Sequence, residues 1–131
     1  MEIGIERLTA LAFVITGLSH FAAPRAWIRF FVNMRAQGEA AGLLNAYVHM
    51  PLGILILAFH WVWTWPGLLV TLIGCGLTLK ATLYFVRPQI AAAALSHVGD
   101  DSEWGLRAAG IVLLVLGLAV FWMSMRDGGA I

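Results

Sequence analysis

The chain has 131 residues, of which 61% are hydrophobic and only 11% charged, with a mean hydropathy of +0.88. A water-soluble domain carries about twice that charged fraction, so the composition excludes an ordinary soluble fold and makes the lipid bilayer the expected solvent. A net charge of +1 gives no electrostatic reason to expect nucleic acid as a partner, and the lone Cys75 excludes an intrachain disulfide.

A membrane span needs about 20 mostly apolar residues, and four segments qualify. The first runs over about 5–23 and stops at Pro24-Arg25. The connection that follows, "PRAWIRFFVNMRAQGEA", interleaves Trp27, Ile28, Phe30, Phe31 and Met34 with Arg25, Arg29 and Arg35. That pattern predicts a short amphipathic helix in the headgroup layer, because the aromatic rings need a dry partner while the guanidinium groups do not. The second span covers about 41–63. A tight "TWP" hairpin leads into the third, about 67–86, which stops at Arg87-Pro88; proline lacks a backbone donor and disfavours helix in the residue before it. "PQIAAAALSHVGDDSE" then holds a possible short helix and an acidic turn, before a fourth span over about 104–125. The expected fold is all-α: a four-transmembrane-helix bundle forming a single integral membrane domain over 1–131. No cleavable signal is expected, since the start is acidic (Glu2, Glu6).

Orientation follows from basic residues. Both termini and the hairpin between spans two and three lie on one side, called A, with Arg7 and Arg126. The opposite side, B, carries Arg25, Arg29, Arg35, Arg87 and Arg107, with Lys80 pointing the same way. Side B is therefore expected to be cytoplasmic and both termini non-cytoplasmic, in a bacterial-type inner membrane. Trp61, Trp63, Trp65 and Trp122 would form a belt on side A, with Trp27 and Trp104 marking side B.

Ionisable groups inside a membrane are candidate functional groups by default; here they are His20, His49 and Lys80, with Arg107 near the edge. A helical rise of about 1.5 Å per residue puts His49 roughly 12 Å, Lys80 roughly 9 Å and His20 roughly 5 Å from side B. Asn45, His49, Leu52/Gly53, Ile56 and His60 recur at helical spacing, so this face of span two is expected to meet protein rather than lipid. Pro51 frees the carbonyl of Tyr47, and spare backbone acceptors near that break could take the donors of Asn45 and His49. A neutral His49 would donate one hydrogen bond and accept another. Span three places Thr71, Cys75, Thr78 and Thr82 on one face and Gly76, Lys80, Tyr84 and Arg87 on another; span four offers Arg107, Gly110, Leu114 and Gly117. The glycines read as sites of close helix approach, the threonines as back-bonded to their own helices, and His60 and His97 as interfacial or loop residues. Bland roles compete throughout: Lys80 can snorkel to side B, His20 can bond a phosphate or a loop carbonyl, and His49 can stitch two helices together.

"ERLTALAFVITGLSHFAAPRAWIRFF" resembles the first span of DoxX-like membrane proteins, with Arg7, Gly17, Leu18, Ser19, His20 and Pro24 in the places of the family's arginine, Gly-Leu-Ser-like turn, polar or basic residue and proline. "HMPLGILILAF" stands where the family often has an acidic residue before a leucine-rich run, and the similarity covers about residues 7–88. Two positions depart from the pattern: His20 stands where lysine is common, and His49 near the position of the acid. The resemblance implies a four-helix membrane fold and, in some members, a subunit role in quinone-linked oxidoreductases.

The expected function is thus a small membrane subunit of a larger redox or bioenergetic assembly, partnered by other subunits or by copies of itself. His49, Asn45, Tyr47, His20 and Lys80 are the candidate ligand-binding residues, and a quinone the candidate ligand. The alternative is a membrane enzyme or carrier acting alone on a small lipophilic substrate in a cavity around His49; no residue pair has the spacing of a catalytic set. Haem is disfavoured because His20 and His49 sit at different depths, and no Cys/His metal-binding pattern appears.

Overall fold

The computed structural model describes residues 1–128, and those residues are helical with no strand: α1 (Glu2–Ala22), α2 (Pro24–Arg35), α3 (Glu39–Phe59), α4 (Leu68–Val86), α5 (Pro88–Leu95) and α6 (Glu103–Gly128), the last preceded by a single 3₁₀ turn at Asp100–Ser102. Four of them, α1, α3, α4 and α6, are long and apolar enough to cross a membrane. The segment after Pro24 is the expected short helix, with Pro24 in its first turn, where a missing N–H costs nothing. The segment after Pro88 starts in the same way.

The long helices associate as two tight pairs. α1 packs along α6 and α3 along α4, whereas α1 meets α3 over a short stretch only. Glycine sets the closeness of each seam. A Cβ on Gly17 would lie 2.7 Å from the carbonyl oxygen of Gly110, and one on Gly110 2.7 Å from that of Gly17, so the α1 and α6 backbones touch at this crossing. Gly53 and Gly74 do the same for α3 and α4, against Thr78 and Ile56. Small residues let helix backbones approach closely and gain dispersion contacts. Gly76, by contrast, faces open space and seals nothing.

The second pair ends differently from the sequence expectation. α3 stops at Phe59, short of Trp63, and the hairpin takes in His60–Gly67 rather than "TWP" alone. The cause is a side chain on α4: Thr71 Oγ1 accepts from the Val62 amide at 3.1 Å and donates to the Val62 carbonyl at 2.8 Å. These bonds hold the chain extended where it would otherwise continue as helix. Thr71 is thus committed to the hairpin, and Thr9 and Thr78 have buried hydroxyls with no partner, so back-bonding does not describe these threonines.

At the other end of the long helices, α2 and α5 connect the pairs. Met34, Ala41 and Leu95 form a small buried cluster with Phe31 against it, and Arg35 donates to the carbonyls of Ser96 and Val98. Gly38, at φ +61°, turns the chain from α2 into α3 in a conformation that only glycine adopts freely.

Candidate functional site

Two polar clusters lie among the apolar helices, and sequence pointed to one of them. The first joins α3 to α4. His49 Nδ1 lies 2.7 Å from the carbonyl oxygen of Asn45, one turn earlier on the same helix. That oxygen can only accept, so Nδ1 carries the proton. His49 Nε2 then presents a lone pair, and Lys80 Nζ of α4 donates to it at 3.1 Å. The ring therefore reads as a neutral imidazole bonded on both sides. It uses the Asn45 carbonyl rather than the Tyr47 carbonyl that Pro51 sets free. Lys80 also lies over the Tyr84 ring, 5.6 Å from its centre, as the i, i+4 spacing on α4 allows. Both members are half-buried. Of the ion pairs among the described residues none involves Lys80: its one bonded partner is an imidazole, which leaves the ammonium charge uncompensated. Close by, the Asn45 side-chain oxygen and the Thr78 hydroxyl are enclosed without a partner.

The other candidates stand apart from this pair. Tyr47, two residues earlier on α3, is exposed, with its ring edge-on to Phe85 of α4 at 5.8 Å. His20 is buried between α1 and α2: Nδ1 bonds the Thr16 carbonyl at 2.9 Å, and the ring stacks on Trp27 at 4.0 Å. Trp27 in turn donates to Ser19 Oγ at 2.9 Å. His20 thus fastens α2 to α1, and Trp27, expected to mark side B, serves that joint. Trp61, Trp63, Trp65 and Trp104 are all exposed. Arg107 bonds the Phe21 carbonyl and Glu103, which also pairs with Arg25, so three charges tie α1, α2 and α6 together.

The second cluster was missed. His60 stands where α3 ends, as a loop residue should, but it is 0% exposed. Its Nε2 lies 3.0 Å from Glu6 Oε1 on α1, and its Nδ1 3.3 Å from Thr71 Oγ1 on α4. Glu6 is itself 4% exposed, and its second oxygen, Oε2, is enclosed with no partner. A signal for this cluster was present: Glu6, His60 and Thr71 are an acid, a base and a hydroxyl at the side-A ends of three successive spans.

No protein-family model matches the chain, and no curated protein or solved structure does.

Proposed function

We propose that the chain is a multi-pass inner-membrane protein of the DoxX-like kind, its four long helices spanning as a bundle with both termini non-cytoplasmic. In this reading it serves as a small subunit of a larger redox assembly, and the Lys80–His49 pair receives the polar head of a quinone-class ligand. The observation that carries the reading is the ammonium of Lys80, held against a neutral imidazole with no carboxylate beside it. A cation at membrane depth without an anion is unfavourable. A quinone oxygen, which gains negative charge on reduction, would offset it by accepting a charge-assisted hydrogen bond. Lys80 has three N–H donors, and His49 takes one of them. The two side chains are fixed on facing helices by the Gly53 and Gly74 seam, so a ligand would meet a preformed donor.

The test is retention of a short-tailed ubiquinone by protein-loaded nanodiscs over empty ones. Wild type should bind saturably. Lys80→Met should weaken binding tenfold or more, since a hydrogen bond from a charged group is worth about 1.5–3 kcal/mol. Retention equal to that of empty nanodiscs would end the quinone reading. Orientation has its own test, on a Cys75→Ser background: an impermeant thiol reagent applied to intact cells should label Gly128→Cys and miss Gln37→Cys. The reverse pattern would invert the proposed topology.

A further inference from the structure

The structure also points to a second site, of different chemistry, at the opposite end of the long helices: we propose that Glu6 and His60, with Thr71, form a proton-binding site that holds one proton more than an ionised carboxylate and a neutral imidazole would carry between them. The proton count follows from the hydrogen bonds around Thr71. A threonine hydroxyl has one proton to donate. The nearest acceptor to Thr71 Oγ1 is the Val62 carbonyl at 2.8 Å, and the same hydroxyl accepts the Val62 amide at 3.1 Å. With its proton committed to Val62, Thr71 can meet His60 Nδ1, 3.3 Å away, only by accepting. Nδ1 therefore carries a proton. Across the ring, Nε2 and Glu6 Oε1 stand 3.0 Å apart, a hydrogen-bond distance that requires a proton between them. The pair thus holds two protons, one on Nδ1 and one in the Nε2–Oε1 bond, and is neutral overall.

Enclosure makes that count matter. The side chains of His60 and Glu6 are 0% and 5% exposed. Losing the shared proton would leave a net negative charge buried among apolar helices, facing a ring nitrogen that no longer donates. A buried charge without a partner is strongly disfavoured. No compensating cation is bonded to Glu6: among the described residues its one ion-pair partner is His60. The titratable and charged groups at this end of α1 are Met1, Glu2 and Arg7, the last two exposed on the helix. α4 contributes the neutral Thr71. α6 carries Ser124, whose hydroxyl is spent on the Phe121 carbonyl, and the exposed Arg126.

An open cleft of about 550 Å³ lies beside the pair, between the start of α1 and the end of α3, lined by Met1, Glu2, Ile3, Ala58, Phe59 and Trp61; neither Glu6 nor His60 lines it. Glu2 stands one turn before Glu6, and Phe59 adjoins His60. Adding the shared proton takes the pair from −1 to 0, and removing it restores the carboxylate and the neutral imidazole; no other group is consumed.

Histidine ¹⁵N and carboxyl ¹³C spectra of the labelled, nanodisc-embedded protein at pH 7 decide the matter. The His60 signals are those retained in each of His20→Gln, His49→Gln and His97→Gln. Two protonated ring nitrogens beside an ionised Glu6 are expected. One bare nitrogen beside an un-ionised Glu6 carboxyl also supports the site, because the same proton has then only crossed the hydrogen bond. One bare nitrogen beside an ionised Glu6 overturns it. Glu6→Gln should convert His60 to a neutral ring protonated on Nδ1 alone; two protonated nitrogens there would show that His60 holds its proton without Glu6 and would overturn the pair as the site. Should Glu6→Gln fail to fold, the wild-type spectra still decide.

Discussion

His49 and His60 belong to one stretch of sequence, and both read as members of the same helix face, yet they are held in opposite ways. His60 has an oxygen at each ring nitrogen and a carboxylate as one of its partners, and it is sealed from solvent. His49 has a backbone carbonyl at one nitrogen and an ammonium at the other, and is half-buried. The first arrangement favours a ring that donates twice; the second favours a ring that donates once and accepts once. The charge balance differs too. Glu6 and His60 sum to neutrality, whereas Lys80 and His49 leave a positive charge. A balanced, sealed pair fastens helices, here α1 to the end of α3. An unbalanced, half-open one has capacity to spare for a ligand.

The largest expected effect tests the sealed pair. Glu6→Ala leaves His60 Nε2 without a partner in an enclosed site. Removing one partner of a buried ion pair costs about 3–5 kcal/mol, so the thermal midpoint in detergent should fall well below that of wild type. Glu6→Gln keeps a polar partner and should lose much less. Equal losses in the two variants would mean that shape, rather than polarity, dominates at Glu6. A second effect concerns the α1–α6 seam that presents Glu6 to α3. Gly17→Ala would place a methyl 2.7 Å from backbone atoms of Gly110 and Leu114, which cannot rotate away. The helices must part, at about 1–3 kcal/mol. An unchanged midpoint would show the crossing to be looser than described.

The half-open pair should respond more mildly. His49→Ala removes the acceptor of one Lys80 donor, but Lys80 is partly exposed and can reorient toward side B. The loss should lie near 1 kcal/mol, the usual net worth of a hydrogen bond. His49→Gln should restore stability if the ring is only a helix tie. If the ring also positions Lys80 for a ligand, Gln should restore stability and leave ubiquinone retention lowered. A loss in His49→Ala as large as that in Glu6→Ala would erase the distinction between the two clusters.

Much of this was legible in the sequence, for physical reasons that can be named. Length and apolarity alone mark the four long helices, since few soluble structures tolerate such runs. Pro24 followed by alternating arginines and aromatics marks α2. His49 and Lys80 stand out because ionisable groups are rare in long apolar helices, and similar depth on adjoining spans suggests that they can meet. The Glu6–His60 bond lay beyond this reasoning because it depends on tertiary placement. Thr71 on α4 shapes the hairpin and meets His60, and the α1–α6 seam carries Glu6 to the same place. His20 differs from its expected place for a similar reason: its depth points to the headgroup layer, whereas Trp27 folds back over it and shuts it in.

The smallest expected effect lies at Tyr47, which sequence had grouped with His49. The two are two residues apart on α3, so their side chains leave the helix on opposite sides. Tyr47 is 64% exposed, and its packing contact is the edge of the Phe85 ring at 5.8 Å. No hydrogen bond engages its hydroxyl among the described residues, so Tyr47→Phe removes a group that contributes nothing to the fold. Stability should stay within about 0.5 kcal/mol of wild type, as for surface changes away from special features. Ubiquinone retention should be unaltered, because Tyr47 packs on Phe85 and is bonded to neither Lys80 nor His49. If Tyr47→Phe weakens retention while Lys80→Met does not, the ligand lies on the exposed Tyr47 face. The charge left open at Lys80 would then have to be met by something else, such as a lipid phosphate drawn in from side B.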